Sequence, residues 1–343
     1  MTTTTTGGTP PYGYLWSNGA TTSAISGLFP DTYHLTVTDA HGCTAFVHRT
    51  ITQPPLLTTG VTNITHVACY GEATGAIEIS VGGGTPTYGF LWTNGQTTQN
   101  ISGLNAGSYY VTVTDSHGCT ASTGATVTEP PLLYLDASLT HVDCWGHMTG
   151  AIDLSVFGGV PGYTYQWNNG ATTQDISGLA SGLYAVIVTD SKGCTRGGSW
   201  TLTQPAAPLV TDHTYNHVTC YGDCDGSVTT TTTGGTPPYS YLWSNGATTN
   251  GISNLCPGTY HLTVTDAHGC TAFIHRSITQ PNLLTISGTP THIICYSYAT
   301  GAIDVTTNGG TTPYAWLWNN GATSEDLSGL TAGNYMVTVT DAI

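Results

Sequence analysis

Charge is what this 343-residue sequence has least of. Lys and Arg number 4 and Asp and Glu 19, so charged residues make up 7% and the formal net charge is -15. An ordinary soluble protein carries about a quarter charged residues. A nucleic-acid partner is excluded, because phosphate binding needs a basic footprint. Long apolar runs are missing as well. No stretch approaches the ~20 apolar residues of a membrane span, and Met1 followed by five threonines has neither the basic region nor the apolar run of a signal peptide. No G-x-S-x-G, H-E-x-x-H, P-loop or dinucleotide fingerprint occurs. What is present argues against disorder: 8 Trp, 20 Tyr and 39% apolar residues point to packed cores, while 44 Gly and abundant Thr disfavour helix. Ten cysteines in so weakly charged a chain suggest an oxidising, extracytoplasmic setting if they pair.

The chain is one unit written repeatedly. Trp16, Trp92, Trp167, Trp243 and Trp318 fall 76, 75, 76 and 75 residues apart. Around them recur GGTPPYGYLWSNGATT, GGTPTYGFLWTNGQTT, GGVPGYTYQWNNGATT, GGTPPYSYLWSNGATT and GGTTPYAWLWNNGATS. Each is followed by a version of ISGLxxGxYxVTVTD, and the first four by GCT and a closing Pro cluster. Those clusters mark joints and divide the chain into 1–55, 56–131, 132–206, 207–282 and 283–343. A longer period also exists, since Thr2–Leu57 matches Thr229–Leu284 at 47 of 56 positions. Duplication of a three-repeat block is the habit of a stalk rather than of an enzyme.

Each repeat reads as strands. Tyr88, Phe90 and Trp92 share one face of an alternating segment. Asn-Gly follows two residues after every core Trp, a hairpin signal when both residues take positive φ. Gly75–Val81 and Tyr109–Asp115 alternate in the same way. About seven short strands in ~75 residues predict an all-β fold, a tandem array of immunoglobulin-like β-sandwich domains with each Trp on the third strand as core anchor. Domains this small commonly need covalent reinforcement.

The repeats act as an internal control on the cysteines. Cys224 and Cys256 occur only in the fourth repeat and together, so they are expected to bond each other. Cys69/Cys119, Cys144/Cys194 and Cys220/Cys270 recur at a spacing of 50. Pairing within each repeat is the favoured reading. Its competitor pairs across the joints: Cys43–Cys69, Cys119–Cys144, Cys194–Cys220 and Cys270–Cys295. A metal reading fails: His41, Cys43, His66 and Cys69 resemble a zinc set, but Lys192 replaces the turn His in the third repeat. Asp223-Cys-Asp225-Gly226 lacks the remaining ligands of a calcium loop. No catalytic, cofactor or metal residues are expected.

The other polar residues also repeat. Eleven of 13 histidines hold repeat-register positions, His147 and His213 being the exceptions. Asp39, Asp115, Asp190, Asp266 and Asp341 end the same strand, where a carboxylate readily bonds backbone N–H groups of the following turn. The four cations, Arg49, Lys192, Arg196 and Arg276, are each expected against a nearby carboxylate or a neighbouring domain.

The pattern HVxCYGxxxGxI, GGTPPYxYLWSNGxTT, ISxLxxGxYxVTVTDxxGCT and QP resembles the SprB-type repeat of large cell-surface adhesins from gliding bacteria of the Bacteroidetes. The fourth repeat, His217 to Pro281, is the best match. The resemblance implies export, surface display, an adhesive or filamentous role, and no catalytic residues. The first repeat lacks its first strand and the last its final strand. A window onto a longer array explains this better than strand donation by neighbouring subunits, because the two partial repeats together exceed one unit. Partners are then like subunits or further repeats of the same chain. The alternative is a carbohydrate-binding module whose Trp145, Trp200 and Trp316 stack on surface glycans. A third possibility places a catalytic domain outside this segment.

Overall fold

A computed structural model describes all residues, 1–343. There is no helix, and every sheet is antiparallel with two or three strands. The chain forms two compact units. One holds Met1–Tyr134, Phe157–Tyr163 and Thr189–Arg196; the other holds Leu135–Val156, Thr164–Val188 and Gly197–Ile343. The third repeat is thus shared, two of its turns belonging with the second repeat.

In the first repeat β1 (Gly13–Trp16), β2 (Asp31–Thr38) and β3 (Thr44–Ile51) form one sheet, and the preceding threonines contribute only an isolated bridge, Thr2 to Ala24. The second repeat is complete: β4 (Thr58–Thr65), β5 (Gly75–Gly82), β6 (Gly89–Trp92), β7 (Ile101–Leu104), β8 (Gly107–Thr114) and β9 (Thr120–Val127). They divide into sheets β4-β5-β7 and β6-β8-β9. This is the immunoglobulin division of strands, with A, B and E facing C, F and G. The tyrosine corner of that fold recurs too, with Tyr109 Oη donating to Asn105 O, and Tyr33, Tyr184, Tyr260 and Tyr335 doing the same four residues upstream. Six strands form rather than about seven, because residues 93–100 make a turn and a crossover instead of a fourth edge strand. The third and fourth repeats repeat the six-strand set over 134–202 and 210–278. In the last repeat the second sheet keeps two strands.

The alternation of side chains builds the core. Ile77 and Ile79 point inward from β5, and Val111 and Val113 from β8; with Trp92, Ile101, Leu104 and Val127 they are essentially fully buried. Trp16, Trp243 and Trp318 lie in three other clusters of their own repeats, and Trp167 is buried in the third. The Asn-Gly sites are turns, not two-residue hairpins. Gly95 takes φ 85 while Asn94 does not turn positive, and Trp92 Nε1 donates to Thr98 O, tying the loop back as the chain crosses to the other sheet. Gly75 opens β5 because a Cβ there would lie 2.6 Å from Val127 Cγ1 and 2.8 Å from Leu104 O.

Candidate functional site: the cysteine turns

Each repeat has two poles. Strand β4 leaves the entry pole, where Gly84 N–H donates to Pro55 O, and reaches the exit pole, where Val67 N–H donates to Thr128 O at the end of β9. The first cysteine of a repeat follows β4 and lies at the exit pole. Its turn is held by a recurring pair of contacts. The Glu or Gln before the closing Pro accepts the turn N–H: Glu129 from Gly71, Gln204 from Gly146, Gln280 from Gly222. The preceding His accepts a backbone N–H from the last strand: His66 Nδ1 from Thr128, His141 from Thr203, His217 from Thr279. Nothing in the sequence revealed these roles; the fixed separations of 58 and 62 residues were the only available signal.

The second cysteine lies at the opposite end. Asp115, at the end of β8, accepts His117 and Cys119 N–H at Oδ1 and Thr85 N–H at Oδ2, so its turn is fastened beside the entry pole. Asp39, Asp190 and Asp266 repeat the arrangement. The Thr85 N–H, foremost, holds the Asp115 carboxyl below its ordinary range. For Asp190 and Asp266 burial pushes upward, but the backbone donors led by Val160 and Thr236 outweigh it. The recurring Asp therefore shapes the cysteine turn, as its position in the sequence suggested.

This geometry corrects the 50-residue pairing. An eight-residue strand at about 3.3 Å per residue spans roughly 26 Å, against a Cα–Cα limit of about 7 Å for a disulfide. Cys69 cannot reach Cys119 from the other pole, and the same holds for Cys144 with Cys194 and Cys220 with Cys270. The adjacent cross-joint scheme fails likewise, since Cys119–Cys144 would join an entry pole to the exit pole of the following repeat. The structure makes the remaining combination. Cys69 is bonded to Cys194 and Cys144 to Cys270, with Cα–Cα distances of 5.6 and 5.7 Å and separations of 125 and 126 residues. Each bond joins the exit pole of one repeat to the entry pole of the next. Cys43, Cys119, Cys220 and Cys295 are exposed thiols. Cys224 is bonded to Cys256 within the fourth repeat. Both precede strands that start from the exit pole.

Beside the Cys69–Cys194 bond an open cleft of about 270 Å³ is lined by Tyr70, Pro131, Leu133, Asp190 and Arg196. Asp143, Cys144 and His147 cluster at the second staple, but the Cys144 sulfur is already bonded, which leaves an Asp143–His147 pair at 3.6 Å. Arg276 meets no carboxylate; its guanidinium lies 3.2 Å from the centroid of the Tyr215 ring. Arg49 donates to the His48 carbonyl. Of the three proposed glycan-stacking aromatics, Trp200 lies 6.2 Å from the core Trp167, and Trp316 Nε1 donates to Thr307 Oγ1. Only Trp145 of the three is exposed.

The SprB repeat family matches at residues 61–97, 137–172, 214–248 and 287–323, so the chain contains a SprB-type repeat region. No curated protein matches. Among solved structures, the chain is similar to the N-terminal eight immunoglobulin domains of Down syndrome cell adhesion molecule at 13% identity and TM-score 0.25, covering 97% of this chain and 55% of that one. It is also similar to a tetra-tandem repeat from the extending region of a large adhesion protein, at 15% identity and TM-score 0.26, covering 78% and 90%. A Ca2+-stabilised ice-binding adhesin of an Antarctic bacterium is similar at 15% identity and TM-score 0.31, covering 78% and 89%. No helix is long and apolar enough to cross a membrane.

Proposed function

We propose that this SprB-type repeat region is an extracellular, surface-displayed stalk or filament of a bacterial adhesin, built from the domains 1–55, 56–131, 132–206, 207–282 and 283–343 and carrying out no catalysis. The observation that supports it is the staggered disulfide. Bonds from the second repeat to the third and from the third to the fourth place covalent reinforcement at those joints and leave each of these repeats its own core. That arrangement serves tension. The recurring turn aspartates Asp39, Asp115, Asp190 and Asp266 accept backbone N–H groups, as do His66, His141 and His217 at the exit poles, so neither set is organised as a reacting centre. Of the three tryptophans weighed for glycan stacking only Trp145 is exposed, which makes that the weaker reading.

Single-molecule stretching of the full chain tests the proposal. The two staples enclose overlapping loops of 125 and 126 residues. Reduction should therefore lengthen the fully extended chain by several hundred ångströms, at about 3.4 Å per freed residue. Identical traces for oxidised and reduced protein would remove the mechanical role.

A further inference from the structure

Histidines of this chain differ in what their rings do. His66, His141 and His217 spend Nδ1 on backbone N–H groups of a closing strand. His34, His48, His261 and His275 are exposed, and their rings form no hydrogen bond, only a contact with one another in pairs.

Strand register makes the pairs. His34 of β2 stands directly opposite His48 of β3, and in the fourth repeat His261 of Gly258–Thr265 stands opposite His275 of Thr271–Ile278. The backbone of the first histidine is turned the other way in both. Ser17 N–H donates to the His34 carbonyl and His34 N–H to Ser17 Oγ, and Ser244 and His261 do the same. Toward the histidine across the ladder these are therefore non-hydrogen-bonded positions, where facing side chains come closest, with Cα atoms about 4.5 Å apart.

The ring centroids lie 5.9 Å apart in the first repeat and 6.1 Å in the fourth. A zinc–nitrogen bond is about 2.0–2.1 Å and a coordinating nitrogen sits about 1 Å from its ring centre, so two rings sharing one ion have centres roughly 5–6 Å apart. The observed separations are at the upper end of that range, and exposed rings close the difference by small χ rotations. Other repeats lack the pair. At the same register in the second, Tyr110 faces Gly124 and its ring lies where a Cβ on Gly124 would stand. In the third, Ala185 takes the place of the first histidine. Neither histidine of the zinc-like set weighed from the sequence, His41 and His66, takes part, because this pairing depends on strand register and not on spacing along the chain.

We propose that His34 with His48, and His261 with His275, each bind a divalent transition-metal ion as a two-imidazole clamp across adjacent strands, with water completing the coordination. Neutral imidazole suits zinc, copper and nickel, whereas calcium and magnesium take oxygen ligands, so the ladder selects against the latter two. Only the folded sheet holds the two rings in register, and the ion therefore stabilises the repeat that binds it. The site goes beyond the stalk reading and does not depend on it.

The test is calorimetric titration of zinc chloride into the full chain carrying Cys43→Ser, Cys119→Ser, Cys220→Ser and Cys295→Ser, so that no free thiol competes. The buffer lies above the ordinary histidine titration range, which keeps the imidazoles neutral. Two ions per chain are expected, and magnesium chloride should not be taken up. His34→Gln and His261→Gln should each halve the zinc uptake and together abolish it, while His41→Gln/His117→Gln should leave it unchanged. Hydrogen exchange with zinc should slow in β2, β3, Gly258–Thr265 and Thr271–Ile278 and stay the same in β8 and β9. The proposal is overturned by absence of uptake, by uptake that survives His34→Gln/His261→Gln, or by its loss in His41→Gln/His117→Gln. Zinc-dependent dimers would overturn it as well, because they place the ion between copies instead of within one sheet.

Discussion

The second and fourth repeats have the same six strands, the same two sheets and the same buried Trp, yet they are stabilised differently. In the second, β5 buries Ile77 and Ile79. In the fourth, the corresponding strand Gly226–Thr233 buries Val228 and Thr230, the latter only 5% exposed. Thr230 Oγ1 satisfies itself by donating to Asn250 O. A buried threonine forgoes apolar area relative to isoleucine, and its hydroxyl must find a partner. The fourth repeat is also the one with its own Cys224–Cys256 bond and an arginine stacked on Tyr215. The comparison teaches that these repeats share a scaffold whose stability is supplied interchangeably by apolar volume or by sulfur.

The largest expected effect comes from the element the two repeats share. Trp92→Ala and Trp243→Ala should each destabilise by about 3–5 kcal/mol, as for a fully buried aromatic. Denaturant titration read by hydrogen exchange should show the loss confined to the mutated repeat. Spread of the effect to the other repeat's core would mean the interiors are not separate. The Cys224→Ser/Cys256→Ser double variant removes a loop of separation 32 and should cost roughly 3–4 kcal/mol by chain entropy, leaving the fourth repeat less stable than the second. Equal midpoints for the two repeats in that variant would break the comparison.

Thr230→Ile sharpens it from the other side. The Asn250 carbonyl keeps its bond from Thr230 N–H, which is backbone, so the substitution strands no acceptor. A gain of about 1 kcal/mol is expected from added apolar burial, read as a rise in the fourth repeat's unfolding midpoint. The smallest effect is common to both repeats. Asp115 and Asp266 have folded pKa values below the ordinary 3.8, so their contribution is fully present above that value and is lost as pH falls through the lowered one. Melting temperature should therefore stay level with respect to these two groups down to about pH 4 and drop below it. Asp115→Asn and Asp266→Asn should flatten that acid limb.

Much of this was legible in the sequence because a copied repeat carries its own controls. The alternation around Trp92 and Tyr109 gave strands and an inward face, and the co-occurrence of Cys224 with Cys256 singled out two residues that the fold brings together. The Asp at the end of β8 could be assigned to its turn from local chemistry alone. Other features were not legible. Asn-Gly promised a hairpin, but whether the next strand pairs beside β6 or crosses to the other sheet depends on where Trp92 anchors its indole. The Glu129 and His66 contacts join residues 58 and 62 positions apart, beyond any local pattern.

Composition, period and strand alternation are properties of neighbouring residues, and those the sequence determined by itself: an all-β chain of five related repeats, each with its own tryptophan. The partner of a cysteine is a property of where strands end. Only the tertiary structure decided that, because β4 and β8 deliver Cys69 and Cys119 to opposite poles, so that the sulfur able to reach Cys69 belongs to the following repeat.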